Sequence, residues 1–154
     1  MKKLTSFLIA LACIGMTYAK DFNSAQLKLR EDIKTFLAEE GYMPKLDSDG
    51  DITFKTEGIQ YAVIISENES NPMYVVLYNG YNYNETYNRA SISPYVSEMN
   101  QYKGLKLYLY ENSFAFHCEL FVNDAEGFTK TFKRYLEIMK LADDELTKLV
   151  SGKK

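Results

Sequence analysis

The sequence predicts an α+β fold in which helices pack on an antiparallel sheet, with the element order α-β-β-β-β-α-β-β-α. Two observations indicate this class. Apolar residues recur at helical spacing near both ends of the chain, and between those segments they alternate with polar residues, as in half-buried strands. Turns rich in aspartate, asparagine and glycine separate the alternating runs, which is typical of successive antiparallel strands.

The first 19 residues have the composition of a secretory signal peptide. Two lysines supply a positive start, and residues 4–16 form an apolar run shorter than the roughly 20 residues that a membrane-spanning helix needs. Small side chains at Thr17 and Ala19 suit cleavage after Ala19. We therefore expect a periplasmic or secreted protein whose mature form does not span a membrane.

An alternative is that Cys13 becomes the lipid-bearing first residue of a lipoprotein, because Ala10-Leu11-Ala12-Cys13 loosely resembles a bacterial lipobox. Cleavage after Ala19, which we favour, would remove Cys13 from the mature chain. The mature chain is then a single domain of residues 20–154 whose one cysteine, Cys118, has no partner for an internal disulfide.

The charge balance disfavours nucleic acid as a partner. The chain has a net charge of −3, and removal of Lys2 and Lys3 makes it about −5. An acidic surface repels phosphate backbones, and the basic residues within 28–34 alternate with acidic ones.

The first helix is predicted over residues 24–40. Ser24 can cap its start, Gly41 stands where a left-handed residue is wanted, and Pro44 prevents the helix from resuming. Its apolar face consists of Leu29, Ile33, Phe36 and Leu37.

Four strands are expected next. The first two, residues 42–46 and 52–56, flank a turn, and a second turn follows at Glu57-Gly58. The third strand alternates Ile59, Tyr61, Val63 and Ile65 on one face, and the fourth alternates Met73, Val75 and Leu77, with residues 67–72 linking them.

The first turn contains Asp47, Asp49 and Asp51, which invites a calcium interpretation because hard cations want several carboxylate oxygens. An EF-hand loop needs its glycine after the third acidic position, whereas Gly50 precedes Asp51. A solvated hairpin turn is therefore expected.

Residues 81–87 are too polar and turn-prone for a core strand. A middle helix is expected to follow. It begins at Ser93-Pro94, or as early as Tyr87 with Pro94 kinking it, and it ends at Gly104.

Two more strands are predicted around a turn at residues 111–113. Their core face carries Leu105, Leu107, Leu109, Phe114, Phe116, Cys118 and Leu120, and their other face carries Tyr108, Tyr110, His117 and Glu119. A long final helix begins near Asp124 with an apolar stripe of Phe128, Phe132, Tyr135, Met139, Ala142, Leu146 and Leu149.

Several segments resemble the YbjN family and the wider group of domains shaped like type III secretion chaperones. They are Phe36-Leu37-Ala38-Glu39-Glu40-Gly41-Tyr42, Asp49-Gly50-Asp51-Ile52-Thr53-Phe54-Lys55, Glu57-Gly58-Ile59-Gln60-Tyr61 and, more weakly, Met99-Asn100-Gln101-Tyr102 and Phe121-Val122-Asn123. The resemblance implies an antiparallel sheet with helices packed on it, in a group whose members bind proteins or have unknown roles. It supplies no catalytic residue, and the export signal sets this chain apart from cytoplasmic secretion chaperones.

His117 is the natural candidate for a general base or a metal ligand. Neighbours in a strand point to opposite faces, so a buried Cys118 puts His117 on the exposed face and prevents a dyad. His117 and Glu119 share a face, but a stable zinc site needs a third ligand. Neither a phosphate-binding glycine motif nor GxSxG occurs. We therefore predict no catalytic residue, no metal and no cofactor.

The chain has 13 tyrosines and no tryptophan. They concentrate at Tyr74, Tyr78, Tyr81, Tyr83, Tyr87, Tyr108 and Tyr110. Tyrosine gives large contact area at low entropic cost, so we take Tyr81, Tyr83, Tyr87, Tyr108 and Tyr110 as a candidate binding surface. Half-burial of these rings against the final helix is the alternative.

These features predict a non-catalytic exported binding module, chaperone-like or inhibitory, whose partner is another protein. A small enzyme that uses carboxylates or His117 is the first alternative, and it would need a concave site where His117 meets two acids. A self-associating envelope protein, for instance a homodimer, is the second, and an apolar, uncovered second sheet face would favour it.

Overall fold

The computed structural model describes residues 20–152. The predicted signal peptide, its cleavage point after Ala19 and the alternative lipid attachment at Cys13 lie outside the described residues. Within them, no helix combines the length and the apolar character needed to cross a membrane.

The described chain alternates helices and strands in the predicted order. Its helices are α1 (Ser24–Glu39), α2 (Arg89–Ile92), α3 (Val96–Met99) and α4 (Ala125–Ser151), with a 3₁₀ turn at Ser93–Tyr95 between α2 and α3. Its strands are β1 (Lys45–Leu46), β2 (Ile52–Thr56), β3 (Ile59–Ser70), β4 (Met73–Asn82), β5 (Leu105–Leu109) and β6 (Ser113–Val122). The α+β class and the antiparallel sheet are confirmed.

The six strands form one sheet in the order β1-β2-β3-β4-β6-β5. Every pair of neighbours is antiparallel, and β4 and β6 pair along their whole lengths, from Met73 opposite Val122 to Asn82 opposite Ser113. These two long central strands carry most of the side chains considered below.

All four helices bury apolar side chains in the core on one face of the sheet. Leu29, Ile92, Met99 and Phe128, one from each helix, belong to the same buried cluster as Val63, Leu77 and Cys118. Phe132 joins the layers, because its ring centroid lies 5.5 Å from that of Phe36 in α1 and 5.8 Å from that of Phe54 in β2.

The start of α1 differs from the prediction, because Asn23 and not Ser24 is the N-cap. Asn23 Oδ1 accepts hydrogen bonds from the amides of Ala25 and Gln26, at 2.9 and 3.0 Å, and the Gln26 side chain accepts from the Asn23 amide at 2.9 Å. The glutamine three residues after Asn23 completes this capping box. At the other end Gly41 is left-handed, as predicted, with φ of 88°.

The boundaries of four further elements also differ. The first strand is limited to Lys45–Leu46. β3 extends to Ser70 and so takes in residues 67–70 of the predicted link. β4 continues to Asn82, because β6 offers a partner for each residue and the buried Asn79 side chain donates to the Gln60 carbonyl at 2.9 Å. The middle helix begins after its N-cap, Asn88, breaks at the 3₁₀ turn containing Pro94, and ends at Met99 instead of Gly104.

The aspartate-rich segment is a hairpin turn, as predicted. Asp47 Oδ1 accepts hydrogen bonds from the amides of Asp49 and Asp51, at 3.0 and 2.9 Å. Asp51 is not solvated, however, because Lys20 forms an ion pair with it and its side chain is only 13% exposed. Burial raises the pKa of Asp51 despite that ion pair.

Both edges of the sheet are poorly suited to pairing with a further strand. β1 has only two residues. On the outer side of β5, the Leu105 amide donates to the Tyr102 carbonyl at 3.2 Å and the Leu107 amide donates to Asn100 Oδ1 at 2.7 Å. These bonds occupy groups through which another strand would pair.

Candidate functional site

The face of the sheet that points away from the helix core carries neighbouring side chains that are mostly aromatic. We call it the open face; from the strand registers its members are Ile64, Tyr74, Val76, Tyr78, Tyr108, Tyr110, His117, Glu119 and Phe121. Three of its rings are strongly exposed, with exposed fractions of 38% for Tyr108, 41% for Tyr110 and 66% for Phe121. Because the helices of the described region bury their apolar residues on the opposite face, these rings meet solvent.

A chain of polar contacts crosses the open face. The Tyr108 hydroxyl donates to Glu119 Oε1 at 2.7 Å, and that carboxylate oxygen lies 3.8 Å from His117 Nδ1. On the other side of the imidazole, Nε2 and the Tyr110 hydroxyl are hydrogen-bonded at 3.1 Å. The contacts hold two exposed tyrosines and a glutamate in fixed positions.

His117 lies on the predicted side of the sheet, opposite the fully buried Cys118, but it is not exposed as predicted. Its side chain is 14% exposed, because the rings of Tyr108 and Tyr78 cover it with centroids 4.5 and 5.2 Å from its own. Alternation in the sequence predicts the face of the sheet to which a side chain points. It does not predict which side chains of neighbouring strands cover it.

Burial alters the titration of this group of residues. It lowers the pKa of His117 below 6.5, although the Glu119 charge acts in the opposite direction. The hydrogen bond to Glu119 raises the pKa of Tyr108, and burial, with the nearby Glu119 charge, raises that of Tyr74 to about 12. At neutral pH the tyrosines are therefore protonated and the imidazole is mostly neutral.

The structure does not bring the five candidate tyrosines together. Tyr108 and Tyr110 belong to the open face, whereas Tyr81, Tyr83 and Tyr87 lie on the helix side, around Phe114. Their ring centroids lie 5.2, 6.1 and 6.4 Å from that of Phe114, and all three rings are within 28° of parallel to it. All three rings are half-buried, as in the alternative named above, but the side chain they share is Phe114 of β6, and only Tyr81 and Tyr87 also line a pocket with residues of α4.

A small pocket opens beside these stacked rings. We call it the α4 pocket; its volume is about 230 Å³, and it is lined by Tyr81, Asn82, Asn84, Tyr87, Phe114, Asp143, Leu146 and Thr147. Hydrogen bonds hold the loop on its rim, since Asn84 Oδ1 accepts from the amides of Thr86 and Tyr87 at 2.9 and 2.8 Å.

Asp143 is the one acidic residue in the lining of the α4 pocket. It makes no ion pair with any lysine or arginine in residues 20–152. Burial raises its pKa above 3.8. Beside it the Tyr81 hydroxyl is fully buried; Asp143 and Asn79 lie within its reach, but neither forms a well-aligned hydrogen bond with it in the described region.

Sequence reasoning listed Tyr74 and Tyr78 among the clustered tyrosines but left them out of the candidate surface, and it did not consider Phe121 or Asp143 as site residues. Tyr74, Tyr78 and Phe121 belong to the open face, and a signal for them existed, because they alternate with the core residues of β4 and β6. Asp143 had no such signal, since a single aspartate among the acidic residues of a long helix looks solvated.

No three His, Cys, Asp or Glu side chains within residues 20–152 are grouped so that they could hold a metal ion. Comparisons with models of protein families, with curated proteins and with solved structures found no match to this chain.

Proposed function

We propose that the protein is an exported, non-catalytic binding module and that its open face contacts another protein. The observation that carries the proposal is the exposure of Tyr108, Tyr110 and Phe121 on a sheet face that no helix of the described region covers. Aromatic side chains are enriched in protein interfaces because each ring removes much apolar area from water.

The hydrogen bonds of the open face support a role in binding. Tyr108 and Tyr110 are held by Glu119 and His117 before any partner arrives. Less side-chain entropy is then lost on association, so more of the contact energy remains as affinity.

Charge supports a partner that differs from this chain. Two copies of the cleaved chain, each with an expected net charge of about −5, repel each other, whereas a partner with a basic rim is attracted to the acidic surface. We also propose that the chain belongs with the YbjN family that it resembles, whose members bind proteins or have unknown roles. A binding role is also favoured over an enzymatic one, because His117 contacts one carboxylate among the described residues, Glu119.

Self-association is the second candidate, because an uncovered aromatic face is also what a second copy would cover. The two candidates differ in a simple measurement. Light scattering over a range of protein concentrations gives a constant monomer mass if the partner is a different protein, and a rising mass if it is a second copy.

A capture experiment tests the proposal. The immobilised wild-type chain, the double variant Tyr108→Ser/Phe121→Ser and the control Met43→Ser, whose side chain is 84% exposed outside the open face, are each exposed to envelope extract. We expect one protein to be retained by the wild type and the control and lost from the double variant. The purified partner should then bind with an affinity that falls as salt is added.

Equal retention by all three chains would contradict the assignment of the open face. A concentration-dependent dimer that the double variant abolishes would replace the protein partner with a second copy.

A further inference from the structure

We infer that the α4 pocket binds an alkylammonium group, which Asp143 pairs with and the rings of Tyr81, Tyr87 and Phe114 surround. The inference is independent of the proposed function, because Tyr81 and Phe114 point to the helix side of the sheet and the open face lies on the other side.

Aromatic rings form part of the wall of the α4 pocket. Tyr81 and Tyr87 both lie nearly parallel to Phe114, with interplanar angles of 24° and 28°. The face of an aromatic ring is electron-rich and attracts a cation within about 6 Å of its centroid. Several such rings beside one pocket form a setting in which an ammonium group is favoured over an anion.

The Asp143 carboxylate lacks a basic partner in the described part of the chain. Asp143 lines the same pocket, is partly buried, and has no basic partner among residues 20–152. A desolvated carboxylate is costly without a counter-charge, and an ammonium group supplies that charge together with N–H donors.

The Tyr81 hydroxyl adds a polar group beside this carboxylate. The Asp143 carboxylate and the Asn79 side chain lie within reach of the buried hydroxyl oxygen, although neither forms a well-aligned hydrogen bond with it within residues 20–152. A tyrosine hydroxyl both donates and accepts, so an ammonium group that pairs with the carboxylate could also donate to the hydroxyl oxygen.

The volume of the α4 pocket and the groups that line it limit which kind of molecule can occupy it. A volume of about 230 Å³ is below the roughly 300 to 1,000 Å³ of drug-sized pockets, so one short amine or one side chain fits it. A divalent cation fits poorly, because calcium and magnesium want about six oxygen ligands and the lining has a single carboxylate. The shared chemistry is a primary ammonium group on an alkyl chain, carried either by a free amine or by a lysine side chain.

The test is a titration followed by two-dimensional NMR of the full chain. The probes are n-butylammonium chloride and, as the uncharged analogue, n-butanol. We expect saturable shifts at Tyr81, Tyr87, Asp143 and Thr147 with n-butylammonium, and affinity for n-butanol at least tenfold weaker. Binding of n-butanol as tight as that of n-butylammonium would overturn the inference, and so would shifts that do not saturate or do not centre on the pocket.

Matched variants assign the role of the carboxylate. Asp143→Asn keeps the shape and removes the charge, and should weaken n-butylammonium binding at least tenfold. Asp144→Asn removes the adjacent charge of the same helix, which does not line the pocket, and should leave binding within about twofold. Equal losses in the two variants would indicate general electrostatic attraction and contradict the site. Thermal unfolding of each variant confirms that it is folded.

A peptide distinguishes the two sources of the ammonium group. Acetyl-Gly-Lys-Gly-amide that binds at least tenfold more tightly than n-butylammonium identifies a protein lysine as the occupant, and weaker binding identifies a free amine. Acetyl-Gly-norleucine-Gly-amide is the control, and equal binding of the two peptides would count against the inference.

Discussion

The side chain of Tyr78 lies directly over Gly80, two residues further along β4. A Cβ atom added at Gly80 would lie 2.1 Å from the Tyr78 hydroxyl oxygen and 2.5 Å from its Cζ. Both residues face the open side of the sheet, so the missing side chain of one makes room for the ring of the other.

Gly80→Ala should therefore destabilise the protein by about 1 to 2 kcal/mol, because the Tyr78 ring must leave its position. In a Tyr78→Ala background the same change should be neutral or stabilising, since alanine is favoured over glycine in a strand by roughly 0.5 to 1 kcal/mol. Denaturant unfolding of the four chains gives the coupling energy. A coupling energy near zero would mean that the position of the Tyr78 ring does not depend on the absence of a side chain at Gly80.

Cys118 should react slowly with thiol reagents in the native protein. It is fully buried, and burial raises its pKa to about 12, so little thiolate is available. Labelling should be located by peptide mass mapping, because the full chain also contains Cys13, and denaturant should make Cys118 react quickly. Cys118→Ser should cost about 1 to 3 kcal/mol, since a hydroxyl replaces the thiol in apolar surroundings. Rapid native labelling at Cys118 would contradict its placement in the core.

Stability should fall as the pH is lowered below about 6.5, and His117 should account for part of the change. Its folded pKa is below 6.5, so in that range the unfolded chain binds the proton more readily than the native one. The stabilising contribution of the neutral imidazole is complete above pH 6.5 and is lost as the pH falls towards the folded pKa.

Unfolding of His117→Gln across this range should show a shallower pH dependence than the wild type. Glu119→Gln provides the second measurement, because the Glu119 charge raises the pKa of His117. NMR titration of the imidazole should give a lower pKa in Glu119→Gln than in the wild type. A higher pKa in that variant would exclude the proposed coupling.

Asn100→Ala should expose the edge of β5. The Leu107 amide loses the acceptor that now lies 2.7 Å away, which should cost about 1 to 2 kcal/mol and speed hydrogen exchange at Leu107. Asn100→Asp keeps a side-chain oxygen at the same place and should retain the protection of that amide. Unchanged exchange in Asn100→Ala would show that the bond contributes nothing to the edge.

Asp143→Asn should raise the melting temperature at neutral pH. Because the folded pKa of Asp143 is above 3.8, the native state binds its proton more readily, and wild-type stability falls as the pH rises through that folded pKa. The Asp143→Asn variant does not lose stability in this way. The difference in melting temperature between the variant and the wild type should therefore grow with pH and be small in acid. Asp144→Asn is the control, and a similar gain from it would point to overall charge instead.

The fold could be predicted from the sequence where periodicity and turn residues agree. The alternation of β6 and the left-handed Gly41 depend on local spacing and are confirmed. The α4 stripe is confirmed at five of its seven predicted residues, whereas Tyr135 and Leu149 are only half-buried and Leu136 and Ile138 are buried beside it. The end of β4 could not be predicted, because Tyr81 and Asn82 are polar or turn-prone by themselves. Their strand conformation depends on pairing with β6, about 30 residues away in sequence.

The two candidate sites were harder to predict for the same reason. Sequence reasoning singled out Tyr81, Tyr87, Tyr108 and Tyr110, but only the register of β4 against β6 shows that the first pair and the second lie on opposite sides of one sheet. Asp143 enters the pocket from a helix that is distant in sequence, so no local pattern connects it to Tyr81.

The blocked hydrogen-bonding edge of β5 and the two-residue β1 restrict one mode of assembly. Growth along the hydrogen-bonding direction is unfavourable at both ends of the sheet within residues 20–152, so these strands would not add to those of another copy as a continuous ribbon. Contact through the open face about a twofold axis would bury the same residues on both copies, and that contact by itself would join no more than two subunits.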